Sequence, residues 1–221
     1  MEDYLNKLAY CIEKGRLNSQ SKIPSNMLGQ DGVEELINQL IQLNTPPKII
    51  IEKGLIKGMN EVGNKFRDGK IFIPDVLLSA KAMNYAIELL KKEFPSENMP
   101  IKGKVILATV EGDLHSIGKN IVKVILEGNG WKVIDLGVDV SSEKIIVKLK
   151  EDEIKAIGLS ALLTTTMLNM KKIIIDLRNS GFNLPVAIGG APVTQKFADE
   201  IQADFYSSDP NEFVNFLDKL N

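Results

Sequence analysis

The stretch Lys104–Asn120, KVILATVEGDLHSIGKN, decides the fold of this chain. It begins with an apolar, β-branched run, residues 105–110, which is typical of a buried strand. A polar turn, Glu111–Asp113, leads to His115, and the apolar positions after Gly118 recur at helical spacing. The stretch therefore predicts a strand, a loop and a helix. A polar loop at the carboxyl end of such a strand is where open α/β sheets bind ligands.

The sequence on either side of this stretch shows two kinds of pattern. Residues 1–93 have helical periods and predict a four-helix bundle, whose third helix starts at Pro46-Pro47. The stretch 94–103 contains two prolines and predicts a linker. Residues 104–221 alternate strand and helix patterns, which predicts a parallel sheet with helices on both faces. The predicted strands lie near 104–110, 131–136, 154–160, 185–188 and 203–206, and the predicted helices near 118–128, 141–150, 166–180, 194–201 and 209–220.

Composition argues against several classes of function. The formal net charge is −2, so the chain has neither a nucleic-acid footprint nor a polybasic membrane patch. No apolar run approaches the ~20 residues that a membrane span needs. The lone cysteine, Cys11, excludes an internal disulfide, and the N-terminal residues do not resemble a secretory signal. We expect a cytoplasmic protein without nucleic-acid or membrane partners.

Any imidazole chemistry belongs to His115, because it is the sole histidine in 221 residues. One histidine without a cysteine cluster cannot build a zinc site, which needs three or four protein ligands. It can serve as a single axial ligand to a metal that a macrocycle already holds. Asp113 is a suitable partner, since a metal-ligating histidine usually donates its other ring N–H to a carboxylate. The alternative is a solvated or helix-capping histidine.

Three short motifs, each at the end of a predicted strand, together resemble the signature of cobalamin-binding domains. They are Asp113-x-His115-x-x-Gly118, Ser160-x-Leu162 and Gly189-Gly190. The resemblance implies a flavodoxin-like domain in which His115 replaces the cofactor's own benzimidazole as the lower cobalt ligand. It also implies a proton relay through Asp113 to Thr166, which stands where a serine is more usual. Thr166 has a second possible role, as the N-cap of the helix 166–180.

The same resemblance implies a deep slot for the displaced nucleotide tail of the cofactor. In this slot Ser160 and Thr164 hydrogen-bond the tail and Leu162 packs against it. Gly189 and Gly190 let the tail pass close to the backbone, because no β-carbon intrudes. The alternative for the two glycines is a simple turn after a strand.

The helical part carries a second resemblance. Residues 61–74, EVGNKFRDGKIFIP, are similar to the cap region of cobalamin-dependent methyltransferases and of the small corrinoid proteins of methanol, methylamine and aryl methyl ether demethylation. This implies that Phe66, Ile73 and Val76 lie over the upper face of the corrin, with Glu52 near its edge. Ile73 stands where leucine is common in the family. The alternative role of these side chains is packing, and for Val76 the two roles are equally supported.

The resemblance implies a corrinoid protein of a cobalamin-dependent methyltransferase system. Its cofactor would be methylcobalamin, hydroxocobalamin or a related corrinoid. It would carry a methyl group between a substrate-specific methyltransferase and a methyl-acceptor methyltransferase, with a reductive activating protein as a further partner. The chain has no room for a catalytic barrel of about 250 residues, so we expect a carrier subunit that is not catalytic alone.

Three alternatives remain open from the sequence. A cobalamin-binding sensor or regulatory module would carry an output domain, but no basic recognition helix is evident. The small subunit of a cobalamin-dependent mutase lacks a helical cap, and the helical patterns at 31–93 argue against it. Flavin binding by a flavodoxin-like domain requires a Ser/Thr-rich phosphate loop after the first strand, where this chain has the turn Glu111–Asp113.

Overall fold

The computed structural model describes residues 1–94, 101–207 and 209–220. The chain forms two compact units: a helical unit, Met1–Pro100 with Gly128–Gly130, and an α/β unit, Ile101–Glu127 with Trp131–Asn221. Residues 95–100 of the predicted linker lie outside the described residues, and the domain limits 1–93, 94–103 and 104–221 stay predictions. Within the described ranges, no helix is both long and apolar enough to cross a membrane.

The helical unit contains the four predicted helical regions. Its elements are α1 (Glu2–Glu13), a 3-10 turn (Ser25–Met27), α2 (Val33–Gln42), α3 (Pro47–Ile50), a π-helical segment (Ile51–Ile56), α4 (Lys57–Arg67) and α5 (Ile73–Glu93). The helical backbone is continuous from 47 to 67, because the residues at each junction keep right-handed helical angles. The third predicted helix is therefore present, with a π-helical segment that the periodicity did not indicate.

A buried arginine organises the long connection between α1 and α2. The Arg16 side chain is fully buried, and its guanidinium donates hydrogen bonds to the backbone carbonyls of Gln30 at 2.6 Å, Ser21 at 3.1 Å and Ser19 at 3.3 Å. Its Nε also donates to the carbonyl of Asp31 at 3.3 Å. Five N–H donors on one planar group can satisfy several carbonyls at once. One charged side chain thus fixes the course of residues 17–32.

The α/β unit is a five-stranded parallel sheet with flanking helices, as predicted. Its strands are β1 (Lys104–Thr109), β2 (Lys132–Asp135), β3 (Ala156–Ser160), β4 (Val186–Gly189) and β5 (Phe205–Tyr206). Its helices are α6 (Ile117–Gly128), α7 (Ser142–Glu151), α8 (Asn169–Asn179), α9 (Gln195–Ile201) and α10 (Pro210–Asp218). The strand order is β2-β1-β3-β4-β5, which is the flavodoxin-like order.

Alternate residues of the strands build two separate cores, one on each face of the sheet. In β1, Ile106 and Ala108 pack with the helices α7 to α9, while Val105 and Leu107 pack with Trp131, α6 and α10. The helix that follows β1 and the helix that follows β3 therefore cover opposite faces. Because β1 and β3 are neighbours, the chain leaves them towards opposite faces at the carboxyl edge of the sheet, which is where such sheets bind ligands.

Candidate functional site

A buried carboxylate joins the loop after β1 to the loop after β3. The Asp113 side chain is 0% exposed. Its Oδ1 accepts hydrogen bonds from the backbone N–H of His115 at 3.0 Å and from the ring Nδ1 of His115 at 2.8 Å. Its Oδ2 accepts the hydroxyl of Thr166 at 2.6 Å and the backbone N–H of Leu162 at 2.8 Å. The structure therefore brings together the three residues of the predicted relay, Asp113, His115 and Thr166.

The charge on Asp113 decides the tautomer of His115. Burial by itself would raise the pKa of Asp113, but the hydrogen bonds from Thr166, Leu162 and His115 outweigh it and hold that pKa well below its usual value. The group is thus a carboxylate, which can only accept hydrogen bonds, so Nδ1 of His115 carries the proton. In this tautomer the ring's lone pair is at Nε2, to which no described residue donates. The His115 side chain is 51% exposed, so Nε2 is available to a ligand.

Thr166 belongs to this network and does not cap a helix. Its hydroxyl lies 3.1 Å from the carbonyl of Leu163 in addition to its contact with Asp113. The N-cap role considered for Thr166 is wrong, because α8 begins at Asn169 and Leu168 occupies the N-cap position. The hydroxyl is buried and aimed at the carboxylate, as a relay requires. Proton transfer through it stays a prediction.

Three further side chains fix the turn that carries the histidine, and the sequence patterns did not indicate them. Each one bonds a backbone group of the turn. The Thr109 hydroxyl donates to the carbonyl of His115 at 2.9 Å, the Asn169 amide donates to the carbonyl of Glu111 at 2.7 Å, and the Asp139 carboxylate accepts the N–H of Gly112 at 2.7 Å. They come from β1, α8 and the loop after β2, so only the folded chain brings them to one place.

The predicted slot residues lie at the ends of two neighbouring strands. Ser160 ends β3 and is directly opposite Gly189, which ends β4. A β-carbon at Gly189 would have one close neighbour, the carbonyl oxygen of Ser207 at 3.4 Å, so there is space beside this residue. Gly190 has a structural reason of its own: its φ is 127°, and a β-carbon there would lie 1.9 Å from the carbonyl oxygen of Ala161. Thr164 is exposed in the loop after β3.

The motif glycine Gly118 meets no steric demand from the protein. It is exposed in the first turn of α6, and no atom beyond its own helix and chain neighbours lies within 4 Å of the position of a β-carbon. A group that approaches the helix backbone from outside would explain a glycine here.

Large apolar side chains around the loops after β1 and β3 are also exposed, which marks a binding surface: Leu114 (71%), Ile117 (69%), Leu168 (59%), Leu163 (45%) and Leu162 (44%).

Comparisons with known proteins agree with this geometry. A family model described as a B12 binding domain matches residues 103–213, and a second model of the same description matches residues 28–91. A corrinoid protein of Desulfitobacterium hafniense (strain Y51) is 38% identical over 199 residues, which cover 86% of this chain and 92% of the relative. The trimethylamine corrinoid protein of Methanosarcina barkeri is 42% identical over 185 residues, 82% of this chain and 85% of the relative. The chain belongs to the corrinoid proteins.

Solved structures support the same family. A cobalamin-binding protein from Desulfitobacterium hafniense DCB-2 aligns with a TM-score of 0.77 and 29% identity over 98% of each chain. A chain of the methanol:cobalamin methyltransferase complex of Methanosarcina barkeri aligns with a TM-score of 0.78 and 29% identity, over 97% of this chain and 80% of that one. The cofactor of this corrinoid protein is therefore a cobalamin or a related corrinoid, and the predictions of family, fold and cofactor are confirmed.

The residues of this corrinoid protein fit such a cofactor. Among the described residues, no group of three or more His, Cys, Asp and Glu side chains could hold a metal ion by itself. A single exposed imidazole nitrogen with a fixed tautomer suits a metal whose other ligands come from a macrocycle. The space at Gly118 and Gly189 suits close approach of a large flat group and its tail.

The helical unit of the corrinoid protein contains the three residues expected over the upper face of the corrin and the one expected near its edge. Phe66 lies in α4 and is partly buried, and Ile73 begins α5 with 38% of its surface exposed. Val76, in α5, is 1% exposed, which agrees with its alternative role in packing. Glu52 lies in the π-helical segment, and its carboxylate is 3.9 Å from the ammonium of Lys48. The cap role of these residues stays a prediction.

Proposed function

We propose that this corrinoid protein binds its cofactor with the benzimidazole displaced and Nε2 of His115 on cobalt, and that it carries a methyl group between two methyltransferases. The observation that carries the proposal is the buried Asp113 carboxylate, which holds the imidazole with its lone pair at an exposed Nε2. A solvated or capping histidine has no need of a buried carboxylate that five donors stabilise.

When bound, the corrinoid supplies the cobalt atom on which the methyl group is carried. The residues of this chain orient that atom's lower ligand and adjust its strength. Asp113 keeps the proton at Nδ1 of His115, which raises the basicity of Nε2. The Thr166 hydroxyl completes a chain of three groups along which a proton can reach or leave Nδ1. We infer that this hydrogen-bonded series of His115, Asp113 and Thr166 couples the protonation of the imidazole to the strength of its bond to cobalt.

The tail of the displaced nucleotide is proposed to enter the space between the ends of β3 and β4. Support comes from the pairing of Ser160 with Gly189 and from the open space beside Gly189. Ser160 and Thr164 would hydrogen-bond the tail, and Leu162 would pack against it. Gly190 would line the same turn while meeting its own requirement for a left-handed backbone.

This tail site can be tested at Gly189. Gly189→Val should weaken cobalamin binding about 5- to 150-fold, because overpacking a filled site costs about 1–3 kcal/mol, while the circular dichroism spectrum stays unchanged. The measurement is a spectroscopic titration with hydroxocobalamin. Cobinamide, which lacks the nucleotide tail, is the control ligand, and its affinity should not fall. Equal affinity of wild type and Gly189→Val for cobalamin would show that Gly189 is only a turn residue.

For the helical unit, we propose that Phe66 and Ile73, with Val76 and Glu52 nearby, cover the methyl-bearing face of the cofactor. The support is the resemblance of residues 61–74 together with the exposed apolar side chains at the start of α5, Phe72 (69%), Ile73 (38%) and Leu77 (53%). Apolar side chains that are exposed together are typical of a surface that a ligand or partner covers.

The partners follow from the relatives. The solved Methanosarcina barkeri structure is a methanol:cobalamin methyltransferase complex, so we propose a substrate-specific methyltransferase as the first partner of this chain. A methyl-acceptor methyltransferase and a reductive activating protein complete the proposed system. Relatives named for trimethylamine and dimethylamine make methylated amines the first donors to screen.

Electron paramagnetic resonance of the cobalt(II) form tests the ligation. Because His115 is the only histidine, labelling with nitrogen-15 histidine marks one residue. The axial-nitrogen splitting should change from three lines to two on labelling, and His115→Ala should abolish that change. A three-line pattern that stays unchanged on labelling would mean that the benzimidazole is still the ligand. A protein that binds no corrinoid would overturn the whole proposal.

A further inference from the structure

Two residues with left-handed backbone face each other beside the histidine turn. Gly112 has a φ of 80° and Asp139 a φ of 53°, and Asp139 is one of three described non-glycine residues with a positive φ. Glycine adopts this conformation without cost, whereas an aspartate does so at some cost. Asp139 therefore stays in a strained conformation, which its surroundings must stabilise.

The stabilisation comes from a reciprocal pair of hydrogen bonds. The carboxylate Oδ1 of Asp139 accepts the N–H of Gly112 at 2.7 Å, and the N–H of Asp139 donates to the carbonyl of Asp113 at 3.0 Å. The adjacent residue Val140 forms a parallel bridge with Val110. The loop after β2 is thus hydrogen-bonded to the turn at two points, the N–H of Gly112 and the carbonyl of Asp113.

We propose that Asp139 is a positioning residue for the cobalt ligand: it clamps the turn 111–113 to the loop after β2 and so keeps the carboxylate of Asp113 in register with the imidazole of His115. The role as it concerns cobalt rests on the function proposed above. No described hydrogen bond joins Asp139 to the imidazole of His115, and both of its described bonds to the turn go to backbone groups. A site of this kind loses its ligand geometry with shifts of about 0.5 Å, so the clamp has a direct effect on ligation.

Variants of Asp139 distinguish an effect on the turn from an effect on the stability of the whole fold. Asp139→Gly removes the acceptor but also relieves the backbone strain, and these two effects oppose each other, so the folded state changes little in stability. Asp139→Asn keeps an acceptor oxygen and a side chain that tolerates the left-handed region. Gln202, which follows α9, has a φ of 58°, so Gln202→Gly is a matched control for strain relief away from the site.

The first measurement uses the protein without cofactor. The ring nitrogens of His115 give the only histidine signals in a nitrogen-15 spectrum, and they report both the tautomer and the ring's order. We expect wild type, Asp139→Asn and Gln202→Gly to show one ordered tautomer with the proton on Nδ1. Asp139→Gly should show a mixture of tautomers and faster ring motion. Identical spectra for Asp139→Gly and Asp139→Asn would overturn the proposal.

The second measurement connects the clamp to cobalt. The affinity for hydroxocobalamin should fall about fivefold in Asp139→Gly, as expected for the loss of one hydrogen bond, and stay at the wild-type value in Asp139→Asn. If the wild type itself shows benzimidazole on cobalt, the proposed function fails, while the spectra of the free protein still decide whether Asp139 positions His115. An unchanged affinity in Asp139→Gly, with histidine ligation intact in the wild type, would contradict the clamp's role in binding.

Discussion

Two loops of this molecule are each held by one buried charged side chain, with opposite signs. In the helical unit, the guanidinium of Arg16 donates to the backbone carbonyls of the loop between α1 and α2. In the α/β unit, the carboxylate of Asp113 accepts N–H and O–H groups from the loops after β1 and β3. Both satisfy the rule that a buried charge needs several hydrogen-bond partners.

The difference between the two loops lies in what the charge leaves exposed. The described hydrogen bonds of Arg16 all end on backbone carbonyls, so that loop gains a fixed course and no reactive group. Asp113 also bonds a titratable ring, and this contact fixes which nitrogen of His115 is free at the surface. A buried charge therefore builds a site only when one of its partners is chemically active and partly exposed.

The largest expected effect is on the stability of the fold, from the loss of the buried Arg16 side chain. Arg16→Met should lower the free energy of unfolding by about 3–5 kcal/mol, because it removes a buried charged group and leaves the backbone carbonyls that it bonds without their donor. Urea denaturation followed by circular dichroism measures this. Lys14→Met, at a neighbouring and partly exposed position, should change stability by no more than about 0.5 kcal/mol. If Arg16→Met altered the His115 ring signals as strongly as a change at Asp113 does, the two loops would not be independent.

A change at Asp113 should act on the cofactor more than on the fold. Asp113→Asn keeps the shape but replaces one acceptor oxygen by an NH₂ group, so the proton is no longer held at Nδ1 of His115. The affinity for hydroxocobalamin should fall about 10- to 100-fold, as for other partners of metal ligands. Asp199→Asn on α9 is the control and should bind normally. Asp113→Asn protein with wild-type affinity and tautomer would show that the carboxylate does not determine ligation.

The smallest expected effect on corrinoid binding concerns a single hydroxyl, that of Thr166. Thr166→Val removes one donor to Asp113 and should weaken corrinoid binding by a few-fold, since one hydrogen bond contributes about 0.5–1.5 kcal/mol. Thr166→Ser keeps the hydroxyl and should match the wild type. The cobalt(II) spectrum should show a smaller fraction of histidine-ligated cofactor in Thr166→Val alone. Equal fractions in both variants would mean that the hydroxyl has no part in ligation.

The π-helical segment and the Arg16 loop show where sequence patterns stop being informative. Periodicity predicted a third helix starting at Pro46-Pro47, and the chain is helical from Pro47, but one wider turn changes the pattern too little to be detected. The connection after α1 has breakers typical of a loop, and nothing local indicates that Arg16 is buried. Burial of an arginine depends on carbonyls as far as 15 residues along the chain.

The sequence by itself determined the alternation of strands and helices, the helical and α/β parts, and the motif Asp113-x-His115-x-x-Gly118, because each depends on residues near one another in the chain. The tertiary structure alone decided the donors that hold Asp113 from the loop after β3, the separate reasons for Gly189 and Gly190, and the contacts of Asp139 and Asn169. These depend on groups from different strands and loops that meet only when the parallel sheet aligns its carboxyl ends. Local spacing cannot specify such contacts, since Asp139 and Asn169 lie 27 and 58 positions from the turn residues that they bond.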